Sequence, residues 1–274
     1  MSVRPITAVG VVVPAHNEQE HIGACLQSVR TALARLPVGI ASAVTVVLDR
    51  CTDDTPTLVE EWERSWPELA ALRIAALGGR RVGGAAGPEP AYIVAGSGVG
   101  AVRDLGVRLT LERLRAYPTG ATWLLHTDAD TTVPPDWALA HLRHAAPGVS
   151  GVAGLTELSG AHHLSVVAQQ RYRALVRAGL DGDRHAHVYG ANLGVRADAY
   201  LAVGGFPPDG SGEDHGLWRR LRAAGHVLAR PTAVRVRTSA RLRGRAAGGL
   251  ADLLCSLEAG SAGETAAPAA ERGP

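Results

Sequence analysis

The chain has 274 residues, 46% of them apolar, enough for one large domain or two closely merged halves. Its formal charge of +2 supplies no global field toward DNA or RNA, and an aromatic content of 4% leaves few stacking platforms for bases or glycans. All 28 basic residues are arginine, which excludes a Schiff-base lysine, a Walker-type phosphate lysine and a Ser-Lys dyad.

Ile6 to Val13 is a β-branched run ended by Pro14, the signal of a buried strand. His16-Asn17-Glu18 then opens a helical pattern through Ile22, Cys25, Leu26 and Val29, with Asn17 placed to cap it. The apolar run is too short and too early for a signal peptide or membrane anchor. Cys25, Cys51 and Cys255 match neither a zinc spacing nor a disulfide framework. A soluble, reducing, cytoplasmic location is therefore expected, with no transmembrane segment and with peripheral membrane contact left open. A second strand, Ala43 to Leu48, delivers Asp49 at its end, and Thr52 or Asp53 can cap a helix reaching to about Trp66. Leu69 to Leu77 reads as a third strand. Gly78 to Gly87 is glycine-rich and basic, and Pro88 and Pro90 oppose a helix there. Gly96-Ser-Gly-Val-Gly100 leads into a helix through Leu114, but its G-x-G-x-G spacing, far from the first strand, does not fit a dinucleotide fingerprint. Trp123 to Thr127 is the next strand and opens into Asp128-Ala129-Asp130.

In the second half, Val149 to Leu158 reads as a strand, His163 to Ala178 as a helix, and Tyr189 to Val195 as a short strand. A helix follows around Ala197 to Val203. Gly204-Gly-Phe-Pro-Pro208 breaks the chain before Glu213-Asp214 start another helix, which runs to Gly225. Val227 to Val236 contains one or two strands, and from Ser256 the Ala-Gly-Glu-Pro composition predicts a disordered tail, residues 256–274. Alternating strands and helices predict an α/β fold with a mainly parallel central sheet and helices on both faces. In such sheets ligands gather at the carboxyl ends of strands, where His16, Asp49 and Asp128 all fall.

Pro14, Ala15, His16 and Glu18, followed by Asp49, form a candidate nucleotide pocket. A carboxylate at Asp49 can accept the imide N–H of uracil, or it can serve the loop. Arg103, one helical turn after the glycines, can reach a diphosphate or a neighbouring carboxylate. Asp128 and Asp130, with Ala129 between them, are placed to hold Mg²⁺ or Mn²⁺, whose remaining positions go to substrate phosphate and water. Pro134-Pro135-Asp136-Trp137 gives a rigid turn just behind them. Glu213-Asp214 begins a helix; Asp214 can act as a base toward an acceptor hydroxyl with Glu213 orienting the acceptor or loop, or the pair can simply favour the helix terminus.

The stretches VVVPAHNEQEHIGACLQSV, VTVVLDRCTDDT, LLHTDADTTVPPDW, GANLGVRADAYLAVGGF and GEDHGLWRRLRAAGH, in this order, resemble a family 2 glycosyltransferase of the GT-A fold over roughly residues 6–240. The resemblance implies a single GT-A domain over residues 1–255, with a nucleotide-sugar-binding half at 1–130 and an acceptor-binding half at 131–255. It implies a UDP-sugar donor contacted by the first segment and Asp49, a divalent cation on Asp128 and Asp130, and Asp214 as base in an inverting displacement. The acceptor is a hydroxyl on a small molecule, glycan or lipid, and nucleic acid is not expected as a partner. A retaining transferase, or a nucleotide- or glycan-binding module without turnover, are the alternatives. The sequence departs from the family at Leu48, where an acid often precedes Asp49. It departs again in the loop after the third strand, whose work Arg103 could share. Arg241, Arg243 and Arg245 could close over phosphate.

Overall fold

The computed structural model describes residues 5–74, 98–145, 148–208, 212–244 and 248–260. Its first half follows the apolar runs. Strand β1 (Ala8–Ala15) leads to helix α1 (Ile22–Leu33), β2 (Ala41–Asp49), α2 (Thr55–Ser65), β3 (Leu69–Ile74), α3 (Val99–Arg113) and β4 (Thr122–His126). β1 pairs in parallel with β2 on one side and β4 on the other, and β3 extends the sheet beyond β2. Both faces of these strands are covered, which is why they read as continuous apolar runs rather than alternating ones. Val9, Val11 and Val13 pack with Ile22, Leu26 and Val29 of α1, whereas Val12 and Leu124 face Val107 of α3. α3 lies hard on the sheet, since a Cβ on Gly106 would meet Val12 Cγ1 at 2.6 Å and Val47 Cγ2 at 2.8 Å.

The second half adds β5 (Thr131–Thr132), α4 (Trp137–Ala145), β6 (Gly151–Ala153), β7 (Leu155–Ser159), α5 (Val166–Ala178), and the hairpin β8 (Leu180–Asp181) and β9 (Arg184–His185). β10 (Leu193–Arg196), α6 (Ala197–Ala202), α7 (Glu213–Ala223), β11 (Leu228–Ala229), β12 (Arg235–Ser239) and α8 (Leu250–Glu258) complete the chain. The large sheet has seven strands in the order β11-β6-β10-β4-β1-β2-β3. β10 runs antiparallel to both of its neighbours. A smaller sheet, β5-β12-β7, stands beside it.

Three elements differ from expectation. The single strand expected from Val149 to Leu158 is broken at Gly154: β6 stays in the large sheet and β7 joins the small one. A side chain at Gly154 would collide with Asn192 and the Val234 carbonyl, so the chain changes sheets where backbone meets backbone. The strand expected from Tyr189 starts only at Leu193, because Gly190–Asn192 form a single 3₁₀ turn. Ser256, Leu257 and Glu258 belong to α8 rather than to a tail. There Leu254 is fully buried with Leu164 and Tyr172, and Leu250 and Leu257, at helical spacing from it, pack on the same cluster. Residues 261–274, the loop 78–87 with Arg80 and Arg81, Gly96, Ser97 and Arg245 lie outside the described residues.

Candidate active site

The strand order places β2 and β3 on one side of β1 and β4 on the other, so the direction of winding reverses between β1 and β4. The loops leaving the carboxyl ends of such strands diverge and leave a crevice. Pro14 and Ala15 are the last residues of β1, in register with Val47 and Leu48. Beyond them, His16 Nδ1 lies 2.5 Å from the carbonyl oxygen of Asp49, joining the ends of β1 and β2. Asn17 and Arg50 both adopt left-handed backbone, at φ 54° and 49°, which asparagine tolerates and arginine does not favour. Asn17 does not cap α1. Its Oδ1 accepts from the backbone N–H of Thr52 at 2.7 Å and of Asp53 at 3.3 Å, pinning the two loops together. Asp53, expected as a cap of α2, instead lies one residue before the N-cap Asp54 and accepts from the Thr55 N–H at 3.0 Å in a turn that leads into the helix. The Asp49 carboxylate is gripped by Arg50 through Nε at 2.7 Å and Nη2 at 2.9 Å.

Asp128 and Asp130 leave β4 into two different networks. Asp128 Oδ1 accepts from Arg103 Nη2 at 2.5 Å, and Arg103 Nε reaches Glu213 Oε1 at 3.3 Å. Arg103 is 2% exposed. Burial works against its charge, but Asp128 and Glu213 outweigh it and hold its pKa above the ordinary value. Asp130 turns the other way. Its Oδ2 lies 3.0 Å from Arg241 Nη2, its Oδ1 is 3.4 Å from the Thr238 hydroxyl, and its carbonyl accepts from the Ser239 N–H at 3.1 Å. Arg241 Nη1 also donates to Glu18 Oε2 at 2.8 Å, and Glu18 is 5% exposed. Between the two acids, Ala129 is buried.

On the far side of Arg103, Glu213 and Asp214 form the first turn of α7. Glu213 is buried and Asp214 half-buried. Asp214 Oδ2 accepts from the Gly190 N–H at 2.8 Å and Oδ1 from the His215 N–H at 2.7 Å, leaving the carboxylate oriented by two backbone donors. Gly100 makes this approach of α3 to α7 possible, because a Cβ there would strike the Pro207 carbonyl and stand 3.0 Å from Glu213 Cβ. Burial raises the pKa of Glu213, with Arg103 opposing the shift and Asp214 adding to it.

The structure thus gathers the acids into two networks, Arg103 with Asp128 and Glu213 (beside Asp214) and Arg241 with Glu18 and Asp130, while His16 and Asp49 form a separate pair at the end of β2. Asn192 is a structural residue. It is fully buried and saturated by Trp137 Nε1 at 2.9 Å, His141 Nε2 at 3.0 Å and the carbonyls of Leu155 and Val234. The Thr238 contact and the Gly190 donor have no signal in the sequence. Nothing in the sequence ties a threonine or a glycine N–H to an acid many positions away.

The donor set suits a hard divalent cation. Asp128 and Asp130 offer carboxylate oxygens, and the Asp128 side chain is 36% exposed. Burial, then the neighbouring Asp128, push Asp130 up to about 6 against the pull of Arg241. Among the described residues no cluster of three or more His, Cys, Asp or Glu is placed to hold a metal ion.

Together, the sheet order and the acids at its carboxyl edge define a GT-A glycosyltransferase fold. Among solved structures, the chain is similar to the mannosyltransferase PcManGT from Pyrobaculum calidifontis in complex with GDP-Man and Mn²⁺, with TM-score 0.56 and 22% identity over 86% of this chain and 58% of that one. It is also similar to S. aureus TarS 1-349 (0.57, 13%, 85% and 60%) and to GalNAc-T7 with UDP, GalNAc and Mn²⁺ (0.58, 13%, 92% and 47%). The chain spans between 47% and 60% of the length of these three. Neither a protein-family model nor a curated protein sequence matches it. Among the described residues no helix is long and apolar enough to cross a membrane.

Proposed function

We propose that the protein is a family 2-type glycosyltransferase that moves a sugar, a hexose in our reading, from a nucleotide diphosphate donor to an acceptor hydroxyl with inversion. The observation that carries this reading is Arg103, which touches Asp128 on the donor side and Glu213, next to Asp214, on the acceptor side. One guanidinium holds the group that would bind the leaving diphosphate at a fixed span from the group that would take the proton. Pro14, Ala15 and His16 supply backbone and ring contacts to the nucleotide, and Asp49 accepts an N–H from the base. Asp128 and Asp130 hold Mg²⁺ or Mn²⁺, which when bound offsets charge on the departing diphosphate. Asp214, aimed by the Gly190 and His215 N–H groups, removes the acceptor proton as the hydroxyl attacks the anomeric carbon from the face opposite the leaving group. Glu213 orients that loop through Arg103. The donor is read as a UDP-sugar because the Asp49 carboxylate can accept the uracil imide N–H, which adenine lacks; guanine can also donate to it, and the titration below separates the two. The Mn²⁺ and nucleotide sugars held by the similar structures support the metal and donor class.

The test is a titration of UDP- and GDP-sugars with Mn²⁺ or Mg²⁺, followed by donor hydrolysis and transfer. Asp130→Ala is expected to remove metal-dependent donor binding. Asp214→Asn should leave donor binding within about twofold and cut transfer by roughly 10²–10⁴. A protein that binds neither donor class with metal, or an Asp214→Asn variant at full rate, would sink the assignment. Binding without hydrolysis or transfer identifies a module that has lost turnover, and proton NMR of the product's anomeric centre separates inversion from retention.

A further inference from the structure

Arg241 stands where a second cation would have to come. It lies two residues beyond β12, and its guanidinium spans Glu18, from the loop after β1, and Asp130, from the turn after β4. Asp130 has little room for another partner: its side chain is 9% exposed, Oδ2 faces Arg241 and Oδ1 faces Thr238. Asp128 differs. Its Oδ1 is held by Arg103, while its Oδ2 makes no hydrogen bond among the described residues and its side chain is 36% exposed. A divalent ion can therefore reach Asp128 at once, but it can take Asp130 only where the Arg241 guanidinium now sits. Two cations on one carboxylate repel, and at these separations the repulsion is steep in a partly buried site.

We infer that Arg241 is an internal competitor of the divalent cation, occupying Asp130 until metal displaces it. The inference rests on the metal-dependent reading above. The Arg241 side chain is 25% exposed, so leaving Asp130 requires rotation of one long side chain and no movement of β12. Arg241 thus sets the cation affinity of the free protein: it keeps Asp130 compensated and weakens metal binding when no diphosphate is present. A donor that brings its own negative charge offers the displaced guanidinium a new partner, so the competition is relieved when donor and metal arrive together.

The experiment is calorimetric titration of Mn²⁺ into the full chain without nucleotide, comparing wild type with Arg241→Gln and Arg241→Lys. Arg235→Gln, which breaks a surface pair with Glu157, controls for the loss of one positive charge. Arg241→Gln should bind Mn²⁺ about tenfold more tightly, equivalent to about 1.4 kcal/mol, with Arg241→Lys and Arg235→Gln close to wild type. Equal or weaker binding by Arg241→Gln overturns the competition while leaving the metal reading intact. Absence of Mn²⁺ binding in every protein, Arg241→Gln included, overturns the competition, and the metal reading falls with it if UDP- and GDP-sugars with Mn²⁺ do not bind either. If Arg241→Gln fails to fold, the unmodified chain still decides: the side-chain N–H signals of Arg241, assigned with Arg241→Lys, should lose their protection from exchange when Mg²⁺ is added. Unchanged protection at saturating Mg²⁺ overturns the inference.

Discussion

Arg103 shows what a single buried side chain does in this protein. Its guanidinium compensates Asp128 and Glu213 at once, so removing it strands two acids. Arg103→Leu is expected to cost about 3–5 kcal/mol, read as a lower midpoint in urea unfolding, and Arg103→Lys should recover only part of it because one ammonium cannot reproduce the two-sided contact. A loss under about 1 kcal/mol for Arg103→Leu would contradict the keystone role. The sequence offered Arg103 as a ligand of either a diphosphate or a carboxylate. It could not show the second carboxylate, which lies 110 positions away. Histidines give a second prediction at this scale. His141 is fully buried, and burial lowers its pKa to about 4 despite the hydrogen bond with Asn192. Its folded pKa lies below the unfolded value of about 6.5, so the unfolded chain binds the extra proton first. Its contribution is fully present above about pH 6.5 and is lost as pH falls toward 4, on the order of 3 kcal/mol in all. His185, lowered to about 4, acts in the same window. Denaturation midpoints measured between pH 7 and 4 should fall accordingly, and His141→Gln should flatten the slope below pH 6.5.

Among the elements, the helices and parallel strands of the first half were legible because their patterns have one solution: β-branched runs between turn residues, then apolar residues at helical spacing. Asp49 and Asp128 could be placed at strand ends for the same reason. The second half was less legible where backbone packing overrides pattern. Val149 to Leu158 carries enough apolar residues for one strand, and only the crowding of Gly154 against Asn192 and Val234 reveals that it must change sheets. Gly154→Ala is therefore expected to destabilise by about 1–3 kcal/mol and to disturb β7, visible as lost amide protection in Leu155–Ser159. An Ala substitution without effect would mean that the crossing is loose. Helix α5 has a local start signal that follows the usual rule, Ser165 accepting from the Ala168 N–H at 3.1 Å, whereas Asn17, which looked equally suited to start α1, is spent on holding Thr52 and Asp53.

At the scale of the whole molecule, the nucleotide-side and acceptor-side stretches expected from the sequence lie side by side in the large sheet, β4-β1-β2-β3 beside β11-β6-β10, and share one core across the seam between β4 and β10. β10, from the second half, lies between β4 and β6, and one apolar cluster combines Val12, Val107 and Leu124 with Leu193, Tyr200 and Leu217. β5, next to Asp130, pairs with β12 near the other end of the described chain. The protein should therefore unfold in one cooperative transition, with near- and far-ultraviolet dichroism coincident. Residues 1–130 alone should show no sharp transition, since β4 would expose the edge that β10 covers; a cooperative melt of that fragment would refute the dependence on the shared core.

Asp128 and Asp130 project from one short turn into opposite networks, one reaching α3 and α7, the other reaching β12. The acids therefore work as a shared pivot: whatever draws on Asp128 also draws on Glu213 through Arg103. On the proposed reaction, thermodynamic linkage would impose a symmetry on donor and acceptor. If a bound donor tightens the acceptor by some factor, the bound acceptor must tighten the donor by that same factor, whichever arrives first.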